Sequence, residues 1–211
     1  MVWTMLNDLP YPTKLITQVR QAIHELDLDN MNGIKIETEM AKTKCMNEAL
    51  YMERVKGYNF WEHVFHAGAI LAQANAEIIA LIQKIGQFIG IAYIIASDTY
   101  EFGKNNLEDF QSGKITLPII HALKQTNSDD IQTLKSLHGR KLTTELQEKI
   151  CLIMVKCGAI DYGKSVAREW CQQALNLLRE FKDSPVKNII EFSTTITQRN
   201  RYYTKLETYR E

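Results

Sequence analysis

The sequence predicts an all-α protein. Apolar residues recur at steps of three and four in one segment after another, and no segment alternates convincingly with period two. Only four prolines and ten glycines punctuate 211 residues, which favours long helices over a turn-rich β fold.

The elements follow in order. Thr13 to Leu26 reads as an amphipathic helix, with Leu15, Ile16, Val19, Ile23 and Leu26 on one side and Pro12 near its start. The polar stretch Asp27 to Gly33 is expected to break it. Further helical patterns cover about 43–55 and 59–72. The segment Asn75 to Phe102 carries Ile78, Ile79, Ile82, Ile85, Ile89, Ala92 and Ile95 at helical steps, with other apolar residues off that stripe. A helix apolar on most sides belongs at the centre of a bundle. Gly103 fits its stop. Beyond Pro118, patterns at about 117–124, 130–137, 143–157, 161–181 and 185–204 extend the bundle, with no repeat or linker to divide it.

Composition narrows the function classes. The chain is 45% hydrophobic and 24% charged, with 25 basic and 25 acidic residues. A zero balance supplies no long-range attraction to nucleic acid or to an anionic membrane. Gln83, Lys84 and Gln87 interrupt the longest apolar run, so it reads as a buried helix and not as a membrane span. Cys45, Cys151, Cys157 and Cys171 form no CxxC pair; they are expected to be reduced, packed thiols of a cytoplasmic protein.

Three motifs suggest chemistry that their context opposes. Gly158 to Ser165 matches G-x-x-x-x-G-K-S, the phosphate-cradling loop. Leu146, Ile150, Ile153 and Cys157 put a helix where that loop needs a strand, and Asp161 would place a carboxylate in an anion nest, so a turn between helices is expected. His63 and His66, near Glu62, lack the HExxH order of zinc hydrolases and read as packing residues. Tyr202, Tyr203 and Tyr209, interleaved with Arg199, Arg201 and Arg210, read as a solvated helix.

One stretch keeps its chemistry. In SDTYEFGKNNLEDFQSGKITLP, Ser97 to Pro118, acids close the apolar helix and a lysine follows a short loop. Gly90-Ile-Ala-Tyr-Ile-Ile-Ala-Ser97-Asp98-Thr-Tyr-Glu101 and Asp109-Phe-Gln-Ser-Gly113-Lys114-Ile-Thr116-Leu117-Pro118 resemble the second aspartate-rich region of the trans-polyprenyl diphosphate synthases. That region reads G-[IL]-A-F-Q-[IL]-x-D-D-x-x-D, then D-x-x-x-G-K-x-T-L-P. Lys56 to Ala72 is similar to the family's lysine-led helix, Gly33-Ile-Lys-Ile-Glu37 to its G-Q-x-x-D, and CGAIDYGKSVAREWCQQALNLL to a helix-turn-helix segment.

The resemblance implies an isoprenoid-synthase-like bundle around a central buried helix, one domain over 1–211 that is incomplete at its N-terminal side. It implies Mg²⁺-dependent transfer of an allylic prenyl diphosphate to isopentenyl diphosphate or another acceptor. Asp98, Glu101 and Asp109 would hold the metal, and Lys56, Lys104 and Lys114 the diphosphate; Lys56, Asp98 and Lys114 are the expected catalytic set. The family's habit of dimerising implies a homodimer, or a second subunit supplying the first aspartate-rich motif, which would lie upstream of Met1. Departures accompany the match: Ser97 stands for an acid, Glu101 for an aspartate, Ile94 and Ile34 for glutamines, and Gly57 for a threonine. They favour, as an alternative, a non-catalytic partner subunit or binding module. The short loop to Asp109 is similar to peptide isoprenyltransferases of competence-pheromone systems, whose acceptor is a tryptophan.

Overall fold

The computed structural model describes residues 6, 10–103 and 106–196. Within them every regular element is a helix: α1 (Thr13–Thr43), α2 (Glu48–Gly57), α3 (Phe60–Leu71), α4 (Ala76–Tyr100), α5 (Glu108–Ser112), α6 (Leu117–Gln125), α7 (Ser128–Leu137), α8 (Thr144–Lys156), α9 (Ala159–Leu178) and α10 (Pro185–Ile196). A 3₁₀ turn, Glu101–Gly103, ends the central helix.

Helix starts are set by side chains. Asn47 accepts from the amides of Ala49 and Leu50, Asn59 from Glu62, Asn75 from Ile78, Asn127 from Asp129 and Asp130, and Thr143 from Leu146. Each cap satisfies amides that the first turn leaves without a partner.

The expected central helix is α4. It lies along α3 and α9, with α2 and α6 across its C-terminal half. Ile85, Ile89, Ile91, Ala92, Ile95 and Ala96 are buried along its length. By length and apolarity α4 and its closing turn could cross a membrane; α3 and α9 pack along it and bury part of that surface. The polar residues that interrupt the run are bound in place: Gln83 and Gln87 both donate to the Glu62 carboxylate on α3, at 3.0 and 2.9 Å.

Three boundaries differ from expectation. The break at Asp27 to Gly33 is absent, and α1 runs through it. No proline stands there, Asp27 and Asp29 face water, and Gly33 lies where α1 meets the end of α2. A Cβ on Gly33 would come within 3.1 Å of the Tyr58 ring and 3.3 Å of the Gly57 backbone. The glycine therefore permits a close crossing and does not stop a helix. The pattern at 43–55 spans a real interruption, because Lys44 takes a left-handed conformation (φ 52°) and Asn47 restarts the chain. The loop before Lys114 contains the short α5, which Gly113 ends with φ 82°. The C-terminal pattern to 204, with Tyr202, Tyr203, Tyr209 and the neighbouring arginines, lies partly or wholly outside the described residues.

The glycines of the phosphate-loop look-alike have packing roles. Gly158, with φ 74°, turns the chain between α8 and α9. Gly163 faces α4, and a Cβ there would approach the Thr99 hydroxyl to 2.3 Å. The preceding segment is helix and not strand, as the periodicity predicts.

Gly90→Ala should destabilise the fold by about 2 kcal/mol, the range for overpacking a tight core. Its Cβ would sit 1.8 Å from the Asn59 side-chain oxygen that caps α3. Gly68→Ala, with nothing within 4 Å of the added atom, should be neutral or gain up to about 1 kcal/mol. Urea unfolding of the two variants measures the contrast.

Candidate functional site

Asp98 follows Ile91 and Ile95 on one face of α4, so the pattern that buries the isoleucines carries a carboxylate into the interior. Burying a charge is costly unless it is paired and hydrogen-bonded, and Asp98 is both. Its Oδ2 accepts from Tyr51 Oη at 2.9 Å and from Arg54 Nη2 at 2.7 Å, and its Oδ1 from Lys114 Nζ at 3.0 Å. Tyr51 and Arg54 lie one turn apart on α2, and both are buried. Lys114 comes from the segment between Gly113 and α6.

Two more acids extend the cluster toward solvent. Glu37 on α1 accepts from Arg54 Nη1 at 2.5 Å, and Asp109 on α5 from Lys114 Nζ at 3.0 Å. Their side chains are 31% and 35% exposed, against 2% for Asp98. Charges thus alternate from Glu37 through Arg54, Asp98 and Lys114 to Asp109.

The cations stay charged. Burial alone would depress Lys114, but Asp98 and Asp109 outweigh it and the net shift is upward. A raised ammonium pKa means that its stabilisation is fully present at neutral pH and is lost only as pH rises through the alkaline range. Arg54 is likewise raised, with burial opposed by Asp98, Tyr51 and Glu37. Burial and the Asp98 charge push the Tyr51 phenol well up, so it acts as a neutral donor.

Beside these groups lies a cavity of about 380 Å³. Glu37, Arg54, Asp98 and Lys114 supply its charged wall, and Tyr58, Tyr93, Ile94 and Ser97 the remainder. Inside the Arg54 guanidinium, Nε is buried without an acceptor.

The expected site residues separate into groups. Asp98, Asp109 and Lys114 converge. Glu101 is buried in the 3₁₀ turn, where its Oε1 accepts from the Asp109 amide at 2.7 Å, and it does not line the cavity. Lys56 is exposed on α2 and does not line it either. Lys104 lies outside the described residues. His63 pairs with Asp29 at 3.0 Å, and His66 is depressed by burial, in keeping with packing roles.

Tyr51, Arg54 and Tyr58 were not among the sequence candidates, and Glu37 entered only as part of a pattern. A signal for Arg54 existed: it lies one turn from Tyr51 and beside Val55, on the apolar side of the expected helix.

The magnesium ion implied by the resemblance can be tested against these side chains. Both Asp98 oxygens already accept from cations or the phenol, a Glu101 oxygen is committed to a backbone amide, and Ser97 contributes no carboxylate. Among the described residues no three His, Cys, Asp or Glu side chains are grouped to hold a metal. As arranged here, the site does not fit the ion, and no step is derived through it.

The Polyprenyl synthetase family model matches residues 1–154. The chain is 25% identical over 153 residues to an octaprenyl diphosphate synthase of Haemophilus influenzae, covering 68% of this chain and 46% of the relative. It is 29% identical over 201 residues to a prenyl transferase of Porphyra purpurea, covering 89% of this chain and 56% of that one. A crystal structure of geranylgeranyl pyrophosphate synthase from Corynebacterium glutamicum, complexed with isoprenyl diphosphate and magnesium, superposes with a TM-score of 0.87 at 18% identity, covering 95% of this chain and 60% of that one. The chain spans about half the length of the curated relatives it matches. With most of its residues matched by the family model and its helices superposing on solved relatives, the chain belongs to the polyprenyl synthetase family.

Proposed function

We propose that this chain handles the prenyl diphosphate in an isoprenoid prenyltransferase, in which an allylic prenyl group passes to isopentenyl diphosphate or another acceptor. The carrying observation is Arg54 and Lys114 flanking buried Asp98 in one cavity. When the allylic C–O bond breaks, negative charge grows on the departing diphosphate, and two fixed cations stabilise it more than they stabilise the bound substrate. The acceptor's double bond then adds to the allylic cation and a proton is lost. The names of the relatives support this chemistry.

Glu37 and Asp109 occupy Arg54 and Lys114 from the solvent side, where an entering diphosphate would bind. In this reading they are displaced, while Asp98 remains as the counter-ion that keeps both cations in position. Metal ligation by Asp98, Glu101 and Asp109 would need those pairings to be broken first.

The same saturation of Asp98, together with Ser97, favours a second reading: a non-catalytic partner subunit or binding module of the family. In either case a second copy or a second subunit is proposed to cover exposed apolar residues. Leu28, Met31 and Ile34 are exposed on α1 and Phe60 and Val64 on α3, two helices joined by the Asp29–His63 pair. Such patches mark interaction surfaces. A partner there could carry the first acidic motif. Four cysteines with no CxxC pair support a cytoplasmic setting.

Calorimetric titration with a non-ionisable farnesyl diphosphate analogue, with magnesium or with a chelator, tests the proposal. Saturable binding is expected, weakened about 10- to 100-fold by Lys114→Ala, the range for losing a charged hydrogen bond. No binding by folded, helical protein would overturn it. Asp109→Asn should tighten binding in chelator; loss of a magnesium-dependent component would instead make Asp109 a ligand. Arg54→Met should cost about 3–5 kcal/mol in urea unfolding, because it strands a buried carboxylate.

A further inference from the structure

A second cavity, of about 360 Å³, lies away from the Asp98 cluster, where the α1–α2 junction meets α6 and α7. Its walls are aliphatic: Met46 from the junction, Ile119 and Leu123 from α6, and Leu134 from α7. Lys44 and Lys135 also border it. Both lysines are exposed, neither forms an ion pair, and no acid lines the cavity among the described residues. Lys44 is placed there by its left-handed conformation at the end of α1, an uncommon conformation for a residue with a side chain.

His138, the residue that ends α7, completes the lining. Its Nε2 lies 3.1 Å from the Lys114 carbonyl oxygen, so Nε2 carries the proton and donates. Its ring meets Phe110 edge-on at 5.0 Å. The next amide, Gly139, donates to the Phe110 carbonyl at 3.0 Å. The cavity therefore shares a wall with the segment that presents Lys114, although its lining contains none of the Asp98 cluster.

An apolar lining with two unpaired cations and no anion is complementary to a molecule with a hydrocarbon tail and an acidic head. We propose that this cavity binds a short single-chain amphiphile bearing a phosphate. The tail lies against Met46, Ile119, Leu123 and Leu134, and the phosphate between Lys44 and Lys135. Its volume falls at the small end of the roughly 300–1,000 Å³ typical of ligand pockets, which suits one chain and not a two-chain lipid. The tail contributes affinity by leaving water, and the lysines discriminate in favour of a charged head. This proposal stands independently of the diphosphate reading, because it uses different residues.

Decyl phosphate is the probe, titrated into the whole chain by calorimetry, with inorganic phosphate and decanol as the two half-ligands. Saturable binding is expected for decyl phosphate, at least ten-fold tighter than for either half. Lys44→Glu with Lys135→Glu should weaken it ten-fold or more, and Leu123→Trp, which fills the tail groove, should do the same. Lys114→Ala, in the other cavity, should leave it within about two-fold. The His138 ring resonances should shift on binding in Lys114→Ala as much as in the parent protein, which places the ligand in this cavity and not beside Asp98. Binding that survives both lysine reversals in helical protein would overturn the proposal. So would binding lost with Lys114→Ala, equal binding of either half-ligand, or saturation without a change at His138.

Discussion

A carboxylate that must be neutralised inside the protein organises this structure. Asp98 sits at the C-terminal end of the central helix, 2% exposed, and its two oxygens draw donors from two other parts of the chain. Tyr51 and Arg54 bring α2 onto α4, and Lys114 brings the segment that leads into α6. Because an unpaired buried charge costs several kcal/mol, these partners cannot leave one at a time. The apolar contacts around the cluster, among them Val55, Ile91, Ile95, Leu117 and Ile120, come from the same elements, and Met40 joins them from α1. Packing and charge pairing therefore specify one arrangement.

The alternating row of charges also sorts its members by freedom. The central three are held by neighbours on several sides, and the terminal pair, Glu37 and Asp109, meets water. In the proposed function a diphosphate would compete with the terminal acids for the cations, replacing an internal contact with an external one while Asp98 keeps its partners. The half of the family fold present here contains its own cores, one around the site and others along α1 and α9.

Much of the architecture was legible because the sequence writes it with short-range rules. The dense apolar pattern of 75–102 identifies the central helix, and Pro118 marks the start of α6. Asp98, Asp109 and Lys114 were found through a spaced motif, and they converge. What escaped was long-range. Gly33 looks like a helix stop in isolation and becomes a crossing point only when Gly57 and Tyr58 arrive from another helix. Arg54 looks like an ordinary basic residue until Asp98, 44 positions later, comes within 2.7 Å. Glu101 matched its motif by spacing alone, but the 3₁₀ turn ties it to an amide. Lys56, likewise aligned, is exposed away from the cavity.

The central helix has a consequence for biosynthesis. Its longest flank is covered by α3, made just before it, and by α9, made only after α5 to α8 have emerged. At about 5–20 residues per second, the ribosome leaves several seconds between the two. During that interval a 28-residue apolar segment, long enough to be taken for a membrane span, has one flank bare. Lys84, beside the Phe88 ring that later meets Trp170 of α9, then lowers the attraction of that flank for lipid and for other nascent chains until the last wall arrives.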